Sequence, residues 1–347
     1  MIILDSHKIG EDNPPFIIAE LSANHGGSIE RAKKSIFAAK KSGANAVKIQ
    51  TYTPDTMTIN SDQPDFIIND GLWEGNTLYE LYQKAYTPYE WHAELFEYAK
   101  EIGITIFSSP FDESAIDLLS KLNTPAYKIA SFELTDIPLI EYAAKRNKPM
   151  LISTGMASIQ EIAEAVEACK KTNNDQILLF HCISSYPADT RDINLSNISY
   201  LSKHFDAEVG LSDHTTNNFA ASLAISLGAS AIEKHFKLDH TDCGPDSSFS
   251  IDPTELKDLV NICNLAKIAM GSSNFKRADS EQDNIKFRRS LYFVSDLKKG
   301  DFISEKDIRR IRPGFGLEPK YFHELIGKKL LKSVKFGDRV KLEDFEN

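Results

Sequence analysis

The chain has 347 residues and carries 40 Lys plus Arg against 50 Asp plus Glu, a net charge of −10. That length fits two domains, or one large α/β unit with an appendage, and it buries a sizeable core unaided. The acidic balance excludes general binding to nucleic acid or anionic membrane, which needs a basic footprint, and no stretch approaches the ~20 apolar residues of a membrane helix.

The opening run MIILDSHKIGEDN reaches Asp5 after one short apolar stretch, so it holds no secretory hydrophobic region. From there, short apolar runs alternate with amphipathic stretches. Residues 16–21 (FIIAEL) read as a first strand, followed by a helical pattern over 29–43. A second strand over 46–52 (AVKIQTY) leads, after an interruption, to a helical pattern over 88–103 and a third strand at 104–109. Strands four to eight are read at 126–131, 149–154, 176–182, 208–213 and 231–236. A helix over 158–172 separates the fifth from the sixth, with Ile159, Ile162, Ala163, Val166 and Cys169 on one face. Gly43 and Gly103 end two of the helices, as a left-handed C-terminal residue does.

From the third strand on, strand starts are separated by 22, 23, 27, 32 and 23 residues. That interval implies βαβ units and a parallel sheet. Eight such units over about 270 residues fit an α/β fold of the (β/α)8 TIM-barrel type; a doubly wound sheet is the alternative. The second unit breaks the rhythm, since residues 46 and 104 lie 58 apart, an insertion of about 35. Long loops in compact domains are usually functional or disordered. This one holds Trp73, Tyr79, Tyr82 and Tyr86, too aromatic for a disordered linker, and we expect it over the barrel mouth.

The barrel pattern ends near Gly271. Residues 272–289 are polar and aperiodic and read as a linker. Residues 290–347 change character, with β-like SLYFVS and DRVKL, a helical KYFHELIGKKL, and turns at LKKGD, RPGFG and KFGD. This second domain holds 13 basic and 10 acidic residues, or +3, which leaves −13 for the rest. Cys169, Cys182, Cys243 and Cys263 form no CxxC pair; they read as free thiols in a cytoplasmic protein.

In a (β/α)8 barrel the active site lies at the C-terminal strand ends, and every strand here ends in polar residues. The eight ends supply Glu20; Lys48 and Gln50; Ser109; Lys128, Ser131 and Glu133; Ser153; His181, Ser184 and Tyr186; Ser212 and His214; and Glu233 and His235 with Asp246 beyond. Lys48 and Lys128 sit inside otherwise apolar strands, where an unpaired cation is costly. Either they form internal salt bridges, to Glu20 or Glu133, or they face an anionic ligand. In the second case Ser109, Ser131, Ser153, Ser184 and Ser212 complete a hydrogen-bonding cage for phosphate or carboxylate. His214 and His235 end adjacent strands, and two neutral imidazoles suit a transition metal whose other positions are filled by water and substrate. No GxGxxG, GxxxxGK[ST], GxSxG or HExxH occurs.

The phrases IAELSANHGGS, AVKIQTY, SSPFD, YKIASFELTD, LISTGM, HCISSYP, VGLSDHT, EKHF and GPDSSFS together resemble the sialic acid synthases. Those enzymes make nine-carbon 2-keto sugar acids from phosphoenolpyruvate and a six-carbon amino sugar. SLYFVSDLKKGDFISEKDIRRIRPGFG resembles that family's C-terminal antifreeze-like (SAF) domain, so the resemblance covers essentially the whole chain. AELSANH, TYTPDTMTI and GLWEGNTLYELYQKAYTPYEWH resemble the pseudaminic acid branch in particular. That branch implies condensation of phosphoenolpyruvate with 2,4-diacetamido-2,4,6-trideoxy-L-altropyranose and release of phosphate by C–O cleavage. N-acetylneuraminate and legionaminic acid synthases share the barrel phrases and are the alternative; a metal-dependent sugar isomerase or hydrolase is the remote one.

The resemblance implies roles residue by residue. Lys48, Ser109, Lys128, Ser131, Ser184 and Ser212 match positions that hold phosphoenolpyruvate, although Ser184 stands where many relatives have Asn. His214 and His235 match ligands of a divalent metal (Mn2+, or Mg2+/Co2+). Glu20, Gln50, Tyr186 and Asp246 match positions near the sugar, and Glu133 matches a general acid/base. Arg312, in RPG, matches an arginine that the SAF domain delivers across a domain-swapped homodimer.

Overall fold

A computed structural model of the chain describes residues 1–69, 71–239 and 244–346, so Cys243 lies outside the described residues. The chain forms two compact units, which divide after Gly271.

The first unit begins with a hairpin of β1 (Ile2–Leu4) and β2 (His7–Ile9). Eight strands follow: β3 (Phe16–Glu20), β4 (Ala46–Thr51), β5 (Thr105–Pro110), β6 (Tyr127–Ile129), β7 (Met150–Ser153), β8 (Ile177–Cys182), β9 (Glu208–Asp213) and β10 (Ala231–His235). All pair in parallel, and β10 closes on β3 with His235 opposite Glu20. The expected α/β barrel is the observed architecture, and no doubly wound sheet forms.

Around it run α1 (Ile29–Ser42), α4 (Tyr89–Ile102), α5 (Glu113–Lys121), α6 (Ile137–Ala144), α7 (Ile159–Lys171), α8 (Ser196–Phe205), α9 (Phe219–Ser226) and α10 (Pro253–Met270). The insertion after β4 contributes α2 (Pro54–Met57) and α3 (Leu78–Ala85). Local chemistry sets the helix ends. Ser28 caps α1 by accepting from the Arg31 amide, and Gly43 stops it at φ 98; Gly103 stops α4 at φ 73. These are backbone values that a side chain strains.

Helix α7 has the expected spacing but another phase. Ile162, Ala165, Val166 and Cys169 face inward, while Ile159 and Ala163 are exposed. Ser158 and Glu161 form a capping box that starts the helix, and Ile159 at its first turn is left exposed.

The interior is layered. At the N-terminal end, Ile2, Leu4 and Ile9 of the hairpin pack with Phe16, Ile18, Phe107, Leu151 and Phe180. This apolar plug closes the barrel bottom and leaves only the C-terminal ends for polar chemistry. The barrel's outer face packs against the helices in one continuous core.

The second unit runs over 272–346. Its 272–289 segment, expected to be a featureless linker, carries a 3-10 helix at Asp279–Phe287. Strands β11 (Ser290–Phe293) and β12 (Ile308–Ile311) pair antiparallel. Leu291, Phe293, Ile308, Val334, Val340 and Phe345 belong to its core. The helix expected over KYFHELIGKKL is only one turn, α11 (Phe322–Leu325). Ile326 after it is extended, and Gly327 takes a φ of 82.

Candidate active site

Strand register assembles a charged cluster inside the C-terminal half of the barrel. Lys48 lies opposite Glu20, and Glu233 opposite Ser212. The Lys48 Nζ stands 3.2 Å from Glu20 and 3.2 Å from Glu233, and it donates to the Ser109 hydroxyl at 3.3 Å. Lys128 reaches across the barrel to the other Glu233 oxygen at 2.6 Å and lies 4.5 Å over the Phe180 ring. Ser212 donates to Glu233 at 3.0 Å. The lysines are therefore paired, but their shared partner is Glu233 and not Glu133. Two lysines thus face two carboxylates, Glu20 and Glu233, and the four side chains are formally neutral together when all are ionised.

Burial and partners split the protonation behaviour. Burial pushes Glu20 up to about 7, against the opposing pull of Lys48. Glu233 is held far below the usual carboxylate range: burial opposes ionisation, but Lys128 and Lys48 outweigh it. Burial lowers Lys128, with Glu233 acting the other way. A buried cluster poised between charge states suits the binding of another anion.

Hydroxyls surround this cluster. Ser131 and Ser184 share a 2.7 Å hydrogen bond, and Ser153 ends β7 beside them. Gly155 makes the approach possible: a Cβ there would lie 2.2 Å from the Ser184 hydroxyl and 2.8 Å from the Cys182 sulfur. Ser109 is hydrogen-bonded to Lys48 and Ser212 to Glu233, and Ser212 lines the cavity itself.

The histidines meet as expected. His214 and His235 have ring centroids 5.5 Å apart. His214 Nδ1–H donates to the Ile183 carbonyl at 2.8 Å, which leaves Nε2 as the lone-pair nitrogen. Burial holds both imidazoles below their ordinary value, hence neutral. His235 Nδ1 is buried without a hydrogen bond and lies 3.8 Å from Asp246. Tyr186 packs on His214 with ring centroids 4.5 Å apart.

Around them, Gln50 donates to Glu20 at 3.0 Å and to Ser22 at 2.9 Å, and Ser22 donates to Asp246. Glu133 follows β6 in a 3-10 turn. Burial pushes its carboxyl up to about 7, and its Oε2 has no hydrogen-bond partner. Arg312 belongs to the second unit, exposed just after β12.

The barrel carries a cavity of about 700 Å³ at this end, within the range of small-molecule sites; Glu20, Ser109 and Arg312 are not in its lining. Lys48, Lys128, Glu133, His214 and His235 line it, as do Gln50, Tyr186 and Asp246. Sequence reasoning placed Glu233 at a strand end without a role, and it missed Ser22 and Gly155. The alternation of Glu233 with the outward-facing Lys234, which pairs with Asp213 at 2.6 Å, was the available signal for the first. For Gly155 there was none. Among the described residues no helix is long and apolar enough to cross a membrane.

Comparison with known proteins agrees with this arrangement. Residues 35–275 match the NeuB family and residues 288–346 match the SAF domain. A pseudaminic acid synthase of Campylobacter jejuni is 48% identical over 96% of this chain and 98% of its own length. One from Helicobacter pylori is 45% identical over 96% and 98%. The crystal structure of an N-acetylneuraminic acid synthetase from Leptospira borgpetersenii superposes with a TM-score of 0.74 at 33% identity, covering 83% of this chain and 95% of that one. With that match spanning most of the barrel and a SAF domain behind it, this chain belongs to the NeuB family.

Proposed function

We propose that the chain is a pseudaminic acid synthase, a transferase that joins phosphoenolpyruvate to 2,4-diacetamido-2,4,6-trideoxy-L-altropyranose and releases phosphate. The observation that carries the reading is one cavity lined by two buried lysines, a hydroxyl pair, two neutral histidines and a glutamate with one unbonded oxygen. The 48% and 45% identity to two pseudaminic acid synthases over nearly the full chain favours this branch.

In this account Lys48 and Lys128, with Ser131, Ser153 and Ser184, hold the phosphate and carboxylate. Ser109 and Ser212, hydrogen-bonded to Lys48 and Glu233, complete that cage. Gln50, Tyr186 and Asp246 orient the open-chain sugar so that its aldehyde carbon meets C3 of phosphoenolpyruvate. The C–C bond forms from the double-bond pair of phosphoenolpyruvate as the aldehyde C=O opens to an alkoxide, and water adds to the C2 this leaves cationic; the C2 hydroxyl later gives its remaining proton to that alkoxide as the keto group forms. Glu133 takes the proton of that water and returns it to the departing phosphate oxygen as the C–O bond breaks. Glu133 suits the task better than Glu20, which is ion-paired to Lys48 and accepts a hydrogen bond from Gln50.

His214 and His235 fit a divalent metal, Mn2+ or Mg2+/Co2+, through two neutral imidazoles, one with an orphaned buried nitrogen. Among the described residues no group of three or more His, Cys, Asp or Glu forms a closed metal cage. A cation bound there would supply Lewis-acid polarisation of the sugar aldehyde.

The reading includes a cytoplasmic, domain-swapped homodimer in which Arg312 of the partner subunit completes the sugar site. The test is phosphate release from phosphoenolpyruvate with a sugar panel. The 2,4-diacetamido-2,4,6-trideoxy sugar is expected to support turnover far above N-acetylmannosamine; the reverse preference contradicts the branch.

A further inference from the structure

The polar floor of the cavity has a use in the reaction; its apolar wall does not yet. Helix α3 lies in the insertion after β4 and starts with a capping box at Thr77 and Glu80. Leu78, Leu81, Tyr82 and Ala85 follow at the i, i+3, i+4, i+7 spacing of one helical face, and all four line the cavity. None of the helix's residues is fully buried. Short helices are held by packing their apolar face, yet this face covers a cavity instead of protein core. Met57 and Leu72 of the same insertion extend the wall. Trp73 ties the insertion to the barrel by donating to the Pro245 carbonyl at 3.3 Å, and Tyr82 packs edge-on against Tyr52 at 5.8 Å.

The cavity thus has a charged end and an apolar end. Lys48, Lys128 and Glu233 sit within strands, deep in the barrel. The insertion leaves the C-terminal end of β4, at the mouth. We propose that the α3 face is the specificity wall for the sugar's C6, selecting a methyl over a hydroxymethyl group there. The proposal rests on the synthase reading, because that reaction fixes the sugar's direction. C1 must meet phosphoenolpyruvate at the charged floor, so C6, at the other end of the open chain, points toward the mouth. In the 2,4,6-trideoxy sugar C6 is a methyl, which gains by leaving water against Leu78 and Leu81. In a 6-hydroxylated sugar the same position strips a hydroxyl of water against the two leucine side chains, which cannot hydrogen-bond it. One such group in an apolar pocket is worth roughly 10²-fold in kcat/KM.

The experiment compares kcat/KM for 2,4-diacetamido-2,4,6-trideoxy-L-altrose and its 6-hydroxyl counterpart, read as phosphate release. It uses the full-length wild type and the variants Leu81→Ser, Leu78→Asn and Leu81→Met. Both leucines are only half-buried, so the replacements disturb folding little, and an unchanged KM for phosphoenolpyruvate reports an intact floor. The wild type is expected to prefer the 6-deoxy sugar by ~10²-fold. Leu81→Ser and Leu78→Asn are expected to lower that ratio about tenfold, and Leu81→Met, still apolar, to keep it. A ratio unchanged in both polar variants overturns the proposal. Failure of the synthase reading shows separately, as wild-type protein that releases no phosphate with either sugar, and that overturns the wall with it.

Discussion

Glu233 is the residue on which the charged floor depends, and replacing it tests that dependence. Its carboxylate accepts from Lys128 at 2.6 Å and from Ser212 at 3.0 Å, and it stands 3.2 Å from Lys48. Lys48 keeps Glu20 when Glu233 is lost, but Lys128 keeps only the Phe180 ring. In Glu233→Gln the amide offers one acceptor, which turns to Lys128 and presents its NH2 to Lys48 or Ser212. Losing a charge-assisted hydrogen bond costs about 1.5–3 kcal/mol. In Glu233→Ala a buried cation is left with no carboxylate, at about 3–5 kcal/mol. Against a typical total of about 5–15 kcal/mol, the first variant folds and the second is marginal. Urea unfolding followed by circular dichroism reads both losses as midpoint shifts at constant slope. Phosphoenolpyruvate supplies the missing anion, so it should raise the Glu233→Gln midpoint more than the wild-type one. A Glu233→Gln protein with the wild-type midpoint, with and without phosphoenolpyruvate, refutes the reasoning.

Other positions test separate links. Gly155→Ala drives a Cβ into the Ser184 hydroxyl and the Cys182 sulfur. It should destabilise by about 1–3 kcal/mol and raise the KM for phosphoenolpyruvate more than that for the sugar; equal KM effects contradict the hydroxyl-pair role. Glu133, with its carboxyl pushed up to about 7 by burial, is ionised above that pH. As a base it should give a kcat/KM that falls tenfold per pH unit below about 7, and Glu133→Gln should remove that limb and cost ~10²–10⁴-fold. An unaltered acid limb in the variant assigns the base elsewhere. Lys234 donates to Asp213 at 2.6 Å and to the Thr215 and Asn217 carbonyls at 2.8 Å each, pinning the turn that carries His214. Lys234→Met strands a buried carboxylate and should cost about 3–5 kcal/mol in urea unfolding; a wild-type midpoint contradicts the pin.

How far the sequence carried this account follows from the range of the forces involved. The eight strands, and the glycines that end α1 and α4, were legible because apolar runs and left-handed stops are local. The convergence of Lys48, Lys128, His214 and His235 followed from fold geometry alone, since a barrel aims all strand ends at one point. The partner of Lys128 was not legible. Glu233 lies 105 residues away on a strand at the opposite side of the barrel, and nothing local distinguishes it from Glu133, five residues off. In α7 the buried face runs through Ala165 and Ala168 and leaves Ile159 exposed, since small residues pack against the barrel as readily as large ones. In the second unit, Gly327 and the extended Ile326 cut short a helix that the side-chain pattern favours. The −10 total likewise hid a floor where two lysines and two glutamates balance.

The most direct test reads the bond that breaks. Phosphoenolpyruvate carrying ¹⁸O in its bridging C–O–P position is turned over with the 2,4-diacetamido-2,4,6-trideoxy sugar, and the phosphate and sugar acid are weighed by mass spectrometry. Lysines and serines that hold the phosphate while water adds to C2 predict that the label leaves entirely in phosphate. Label found in the 2-keto acid, with unlabelled phosphate, contradicts the account.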